Sequence, residues 1–274
     1  MIEAFHVTSI GYSHVKSGKV CQDHSSAFSD GERTVITACD GHGGEIYIRS
    51  HKGSQFASHA MLRTMLSVES LLSRKCSAEE LANNLKLNVL CEWNRLVRED
   101  LAKHPIRKSE VKQLAEEQIN ILRKNPVKAY GSTLTGAMQL GSRLFCVQLG
   151  DGGCFLLRSD GKIVPAFSES EDEPVANLTY SLCGEDAFSH MHAAIFDMRQ
   201  CDGVLLCTDG ILASYQTIEN FKRYFMRPVI HHASLRNTRE ITNFVQTLGT
   251  RSGVGDDVSL AMILKTKIKA KNYK

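Results

Sequence analysis

Four apolar stretches of this chain each meet an aspartate beside a glycine. Asp40-Gly41 follows TVITAC, Asp151-Gly152 follows LFCVQLG, Asp209-Gly210 follows VLLCT, and Gly255-Asp256-Asp257 precedes VSLAMIL. One Asp-Gly pair is a common turn signal and constrains little. Repeated at the ends of four strand-like runs it restricts the fold, because buried strands sharing one rim of a sheet sandwich would gather the acids. Clustered carboxylates repel one another unless a cation neutralises them. Oxygen ligands select hard divalent ions, so Mg²⁺ or Mn²⁺ fits, whereas zinc sites normally use His and Cys, which lack suitable spacing here. An EF-hand is excluded because no D-x-D-x-D-G loop is present.

The pattern along the chain places these acids. AFHVTSIG and then SSAFSDGERTVITACD read as short strands, the second pair joined by a Ser-Asp-Gly turn. From about Tyr47 to Leu72 the apolar spacing becomes helical, and Ser77-Ala78-Glu79-Glu80 is a capping-box signature opening a helix toward Ala102. RKSEVKQLAEEQINILRK reads as a further amphipathic, solvated helix. STLTGAMQL, RLFCVQLGD, GCFLLRSDG and KIVPAF then follow as an antiparallel meander with hairpin turns at Gly141-Ser142 and Asp160-Gly161. HAAIFDM, DGVLLCTDG and DVSLAMILKTK add strands, with helices predicted over TIENFKRYF and TREITNFVQTLGTRSG. Helices grouped between blocks of antiparallel strands indicate an α+β fold. No repeat or linker divides the chain, so residues 1–274 read as a single domain with a helical extension near 105–126.

Composition narrows the function classes. The 274 residues carry 42% hydrophobic and 23% charged side chains, ordinary globular values. A net charge of +3 with spread Lys and Arg argues against nucleic acid as a partner, and the basic tail KTKIKAKNYK reads as a solvated end. Nine cysteines, no C-x-x-C pair, no signal-peptide core and no apolar run of membrane-spanning length predict a cytoplasmic protein without membrane contact. SHVKSGKV fails as a P-loop because Val20 stands where a Ser or Thr is needed.

QDHSSAF, ACDGHGG, YGSTLTGAM, QLGDGGCFLL, CTDGI and GDDVSLAMI occur in the order and spacing seen in the metal-dependent type 2C protein phosphatases, the PPM family. The chain resembles that family from about Gly11 to Leu264, and GYSHVKSGKVCQD is most similar to its compact bacterial branch. The resemblance implies a sandwich of two antiparallel β-sheets flanked by helices, with two Mn²⁺ or Mg²⁺ ions at one end that activate a water to attack phosphorus. By matching motif, Asp40 would bridge the ions and Gly41 would offer its carbonyl, the bound ion leaving no room for a β-carbon. Asp209 and Asp256 match further ligands, and Asp23 matches an acid that holds metal-bound water. His42 matches the general acid for the leaving alkoxide; a histidine that only hydrogen-bonds the metal-bound acids is the other reading. The implied activity is hydrolysis of phosphoserine and phosphothreonine in a phosphorylated protein substrate, in bacterial signalling alongside a cognate Ser/Thr kinase. Cys21 and Cys39 lack the C-x₅-R context of a phosphocysteine enzyme and read as packing residues.

The chain departs from the family pattern at several positions. Gly18 stands where many relatives carry a phosphate-gripping arginine, leaving His14, Lys16 and Lys19 as substitutes. Ala213 replaces an acid that would share a third metal site with Asp151, so a third ion is expected to bind weakly. Gln22 replaces an acid next to Asp23, keeping an oxygen but removing a charge, and Asp257 stands where an Asn is usual. SESEDEPVANLTYSLCGEDAFS corresponds to the variable flap of the family. The departures motivate an alternative function, a pseudophosphatase that binds a phosphoprotein or kinase without turnover.

Overall fold

The computed structural model describes residues 2–68, 77–167 and 179–266. Ten strands form two five-stranded sheets, antiparallel throughout. They are β1 (Ile2–Ser9), β2 (His24–Ser29), β3 (Arg33–Cys39), β4 (Leu134–Leu140), β5 (Arg143–Leu149), β6 (Gly153–Arg158), β7 (Ile163–Pro165), β8 (His192–Asp197), β9 (Cys201–Cys207) and β10 (Val258–Lys265). One sheet runs β1-β10-β9-β6-β7 and the other β2-β3-β4-β5-β8.

The central strands are apolar on both faces, as strands covered on both sides must be. Successive side chains alternate. Ile36, Ala38, Ala137, Cys146, Leu156, Val204, Leu206, Ala261 and Ile263 meet between the sheets. The intervening Val35, Cys39, Met138, Phe145 and Val147 face a helical layer, and Leu205, Cys207, Leu260 and Met262 face a second one. This alternation pins the register, since a slip of one residue would exchange the two faces.

The first helical layer is α2 (Ser50–Leu66) and α3 (Ala78–Lys103), which follow the short α1 (Tyr12–Ser17). Ser77 caps α3 in the expected reciprocal box with Glu80. Leu81, Leu85, Val89, Trp93 and Val97 form its buried stripe, and the Trp93 ring N–H donates to Gly53 O at 3.1 Å. Each such side chain contributes about 1.5–3 kcal/mol relative to exposure, so packing outweighs propensity in holding this helix. Phe221, Phe225, Val229, Ile230, Ile241 and Val245 pack the second layer against the other sheet, from a π-turn at Lys222–Met226, the helices flanking it and the following helix Thr238–Leu248.

Three expectations change. The helix predicted from Tyr47 begins at Ser50, because Ile46, Tyr47 and Ile48 pack on the core from a turn; residues 69–72 lie outside the described residues. The helix predicted over 107–124 is turns followed by α4 (Glu116–Lys124). Glu110 is held there by the local Arg107 N–H at 2.8 Å and by the Arg49 guanidinium at 2.8 and 2.9 Å, bonds that take the place of a helical ladder. The predicted single meander divides: β4 pairs β5 in one sheet, β6 pairs β7 in the other. The chain crosses between sheets at 150–152, and Asp151 sits at that crossing.

Candidate metal centre and active site

The register of both sheets brings the acid-bearing ends to one rim. Cys39 at the end of β3 pairs His24 at the start of β2, Leu149 at the end of β5 pairs Leu134, and Cys207 at the end of β9 pairs Leu260 and Gly153. Asp40, Asp151 and Asp209 each place one carboxylate oxygen within 4.8 Å of the others. Asp23 is buried beside Asp40 and accepts from Thr208 Oγ1 at 2.8 Å. Asp256 is exposed and accepts from the Asp257 N–H at 2.8 Å; its charge acts on Asp209.

Backbone bonds position the bridging candidate. The Asp40 N–H donates to Thr133 Oγ1 at 2.9 Å, and the Thr133 N–H returns to Asp40 O at 2.8 Å. At Gly41 a Cβ would lie 2.6 Å from both Gln22 O and Ser50 O. Crowding by the protein's own backbone is enough by itself to require this glycine. The next residue, His42, donates its N–H to Gly131 O at 3.1 Å and packs its ring against Tyr47 at a centroid distance of 4.9 Å.

Burial dominates the electrostatics. It pushes the Asp23 carboxyl up to about 7, with hydrogen bonds from Thr208 and Asp40 opposing. Burial and then the charges of Asp151 and Asp256 push Asp209 up to about 6, while Asp40 rises well above the usual range through burial and the charges of Asp23 and Asp209. Burial lowers the His42 imidazole, opposed by Asp151. Among the described residues no Lys or Arg is ion-paired with Asp23, Asp40, Asp151 or Asp209. Hard oxygen donors, mutually repelling and without a cationic side chain, are the donor set that a divalent ion satisfies. The thiols of Cys21 and Cys39 are pushed up, mainly by burial, which fits packing and not nucleophilic roles.

Asp257 is no metal-site spare. It is buried, and takes the Gly11 N–H on Oδ1 at 2.7 Å and the Gln22 N–H on Oδ2 at 2.6 Å, with His14 Nδ1 also on Oδ2 at 2.9 Å. Both carboxylate oxygens are used, which an Asn could not match. Of the cations expected near phosphate, His14 is thus anchored through one ring nitrogen, while Lys16 and Lys19 are exposed. Gly18 caps the C-terminus of α1 at φ 68°, a left-handed position that favours glycine. Sequence reasoning missed Thr133, Thr208 and Thr179, whose Oγ1 donates to Asp151 Oδ2 at 2.6 Å. The first two lie inside the quoted motifs YGSTLTGAM and CTDGI, where a hydroxyl near the acid was the available signal.

A double antiparallel sandwich between helical layers, with acids converging at one rim, defines a PPM-type phosphatase fold. The family model for protein phosphatase 2C matches residues 10–246, and the chain belongs to that family. No curated protein sequence matches the chain. Among solved structures it is similar to PppA, described as a key regulatory component of T6SS in Pseudomonas aeruginosa, at 17% identity and TM-score 0.59 over 96% of this chain and 97% of that one. It is similar to the catalytic domain of the serine/threonine protein phosphatase PstP in complex with two manganese ions, at 16% identity and TM-score 0.54 over 96% and 97%. A C. elegans sex-determining protein aligns at 15% identity and TM-score 0.62 over 100% of this chain and 67% of that one. No helix among the described residues is long and apolar enough to cross a membrane.

Proposed function

We propose that the protein is a metal-dependent serine/threonine protein phosphatase, and the observation that carries this reading is the convergence of Asp40, Asp151 and Asp209 within 4.8 Å. Asp40 and Asp209, with the Gly41 carbonyl and Asp256, would hold two Mn²⁺ or Mg²⁺ ions, as the PstP structure contains two manganese ions; Asp23 would hold metal-bound water. Ions so held lower the pKa of water and neutralise charge developing on the phosphoryl group. The chain's own residues then orient and protonate. His42 gives a proton to the departing serine or threonine oxygen; burial lowers its imidazole, and the Asp151 carboxylate and an incoming phosphate dianion oppose that by favouring the protonated form. His14, Lys16 and Lys19 would be the cations for substrate phosphate, Lys as point charges where an arginine would bind bidentately. A phosphorylated protein made by a Ser/Thr kinase is the substrate class, with cytoplasmic signalling the setting.

A second reading, phosphoprotein binding without turnover, is favoured by one observation: position 18, where many relatives carry the phosphate-gripping arginine, is a glycine in a left-handed cap. Phosphate release from a phosphothreonine peptide decides. Release that needs Mn²⁺, stops with chelator and falls at least about 100-fold in Asp209→Asn supports the enzyme. Binding of the peptide without release at any Mn²⁺ or Mg²⁺ concentration supports the second reading.

A further inference from the structure

We infer that Gln22 is a positioning residue for His42. The backbone of Gln22 is fixed from three sides: its N–H donates to Asp257 Oδ2 at 2.6 Å, and its carbonyl accepts from the Gly41 N–H at 3.1 Å and Ser54 Oγ at 2.5 Å. From that anchor the side chain reaches between the 41–43 loop and the first turn of α2. Its Nε2 donates to His42 O at 3.3 Å and to Ser50 Oγ at 2.6 Å. A carbonyl oxygen can only accept, so the nitrogen end of the amide must face His42.

The consequence for His42 is that both of its backbone polar groups are held. Its N–H is on Gly131 O and its C=O is under Gln22, with Gly43 and Gly44 following. Two glycines in succession leave the peptide after His42 free to rotate, and rotation there would swing the ring away from Tyr47. The Gln22 amide supplies the restraint. A glutamate at this position has no hydrogen to offer and would set a charged oxygen against the His42 carbonyl. Where the family pattern puts an acid in service of the metal, this chain has an amide that steadies the residue proposed to protonate the leaving group, and the inference rests on that proposed role of His42.

The test compares wild type, Gln22→Met, Gln22→Glu and His42→Ala on phenyl phosphate, whose leaving group needs a proton, and p-nitrophenyl phosphate, whose leaving group does not. Gln22→Met and Gln22→Glu are expected to lower kcat on phenyl phosphate about tenfold while staying within about twofold on p-nitrophenyl phosphate and in KM, a milder copy of His42→Ala. Equal loss on both substrates, or a Gln22→Glu enzyme as fast as wild type, overturns the inference. Amide hydrogen exchange provides a readout independent of activity. Gly41 and His42 are expected to exchange faster in both Gln22 variants while β10 amides keep their protection; unchanged exchange at 41–42 overturns the inference. A His42→Ala enzyme with equal losses on both substrates, or a wild type without turnover, removes the catalytic reading, and exchange alone then decides whether Gln22 holds the loop.

Discussion

Thr208 Oγ1 donates to Asp23 Oδ2 at 2.8 Å, joining residues 185 positions apart in sequence that adjoin β9 and β2, strands of opposite sheets. The same oxygen accepts the Ser259 N–H at 2.9 Å, so the hydroxyl's one proton is directed at the carboxylate. Thr208→Val keeps the shape, removes that donor and orphans the Ser259 amide. The expected loss is about 1–3 kcal/mol of stability in urea unfolding. Mn²⁺ affinity should weaken in the same variant, measured by calorimetric titration.

The acid cluster makes metal-free stability depend on pH in an unusual direction. Asp23 and Asp209 have folded values near 7 and 6, above their unfolded values, so the folded state binds protons more tightly. Their contribution is fully present below about pH 4 and is lost as pH rises through 6 to 7. In chelator, the Tm difference between wild type and Asp209→Asn is expected to move against wild type as pH rises from about 4 to about 6. Added Mn²⁺ should raise the wild-type Tm more at pH 7.5 than at pH 5, because ionised ligands bind it. A wild type that gains on Asp209→Asn as pH rises in chelator contradicts this.

Two neighbouring glycines should respond oppositely to alanine. At Gly41 a Cβ lies 2.6 Å from two backbone oxygens, whereas at Gly43 the nearest atom is Gln22 Oε1 at 3.8 Å. Gly41→Ala is expected to cost about 3 kcal/mol or more, the upper range for overpacking, and Gly43→Ala less than about 0.5 kcal/mol. Thermal unfolding of the pair measures both.

Arg49 fills all five of its donor positions: Glu110 twice, Tyr130 Oη, and the carbonyls of His104 and Pro105. It precedes Ser50, the residue crowding Gly41, so this knot holds the α2 end of the site. Arg49→Met is expected to cost about 3 kcal/mol, the low end for removing one partner of a buried ion pair, since Glu110 is partly exposed. Glu110→Gln should cost less, and urea unfolding separates the two.

Much of this architecture was legible because the apolar runs and the acids at their ends are local signals. Strand identities, the Ser77 cap and the gathering of Asp40, Asp151 and Asp209 follow from pattern alone. What sequence could not show is which strands share a sheet, as the division of β4–β7 between two sheets depends on a crossing at 150–152 that looks like any hairpin turn. Nor could it show hydrogen bonds across long separations. Asp257 reads as a neighbour of a ligand, yet its partners are Gly11, His14 and Gln22, more than 230 residues away. Gln22 reads as a diminished acid, yet its donors are what the loop uses.

The most direct measurement is calorimetric titration of Mn²⁺ into the metal-free protein at pH 7.5, wild type against Asp40→Asn. Two ions per chain in the wild type, with at least one lost in the variant while circular dichroism is unchanged, is the result expected of aspartates converging on a metal centre. Equal binding in both proteins, or none in the wild type, would contradict it.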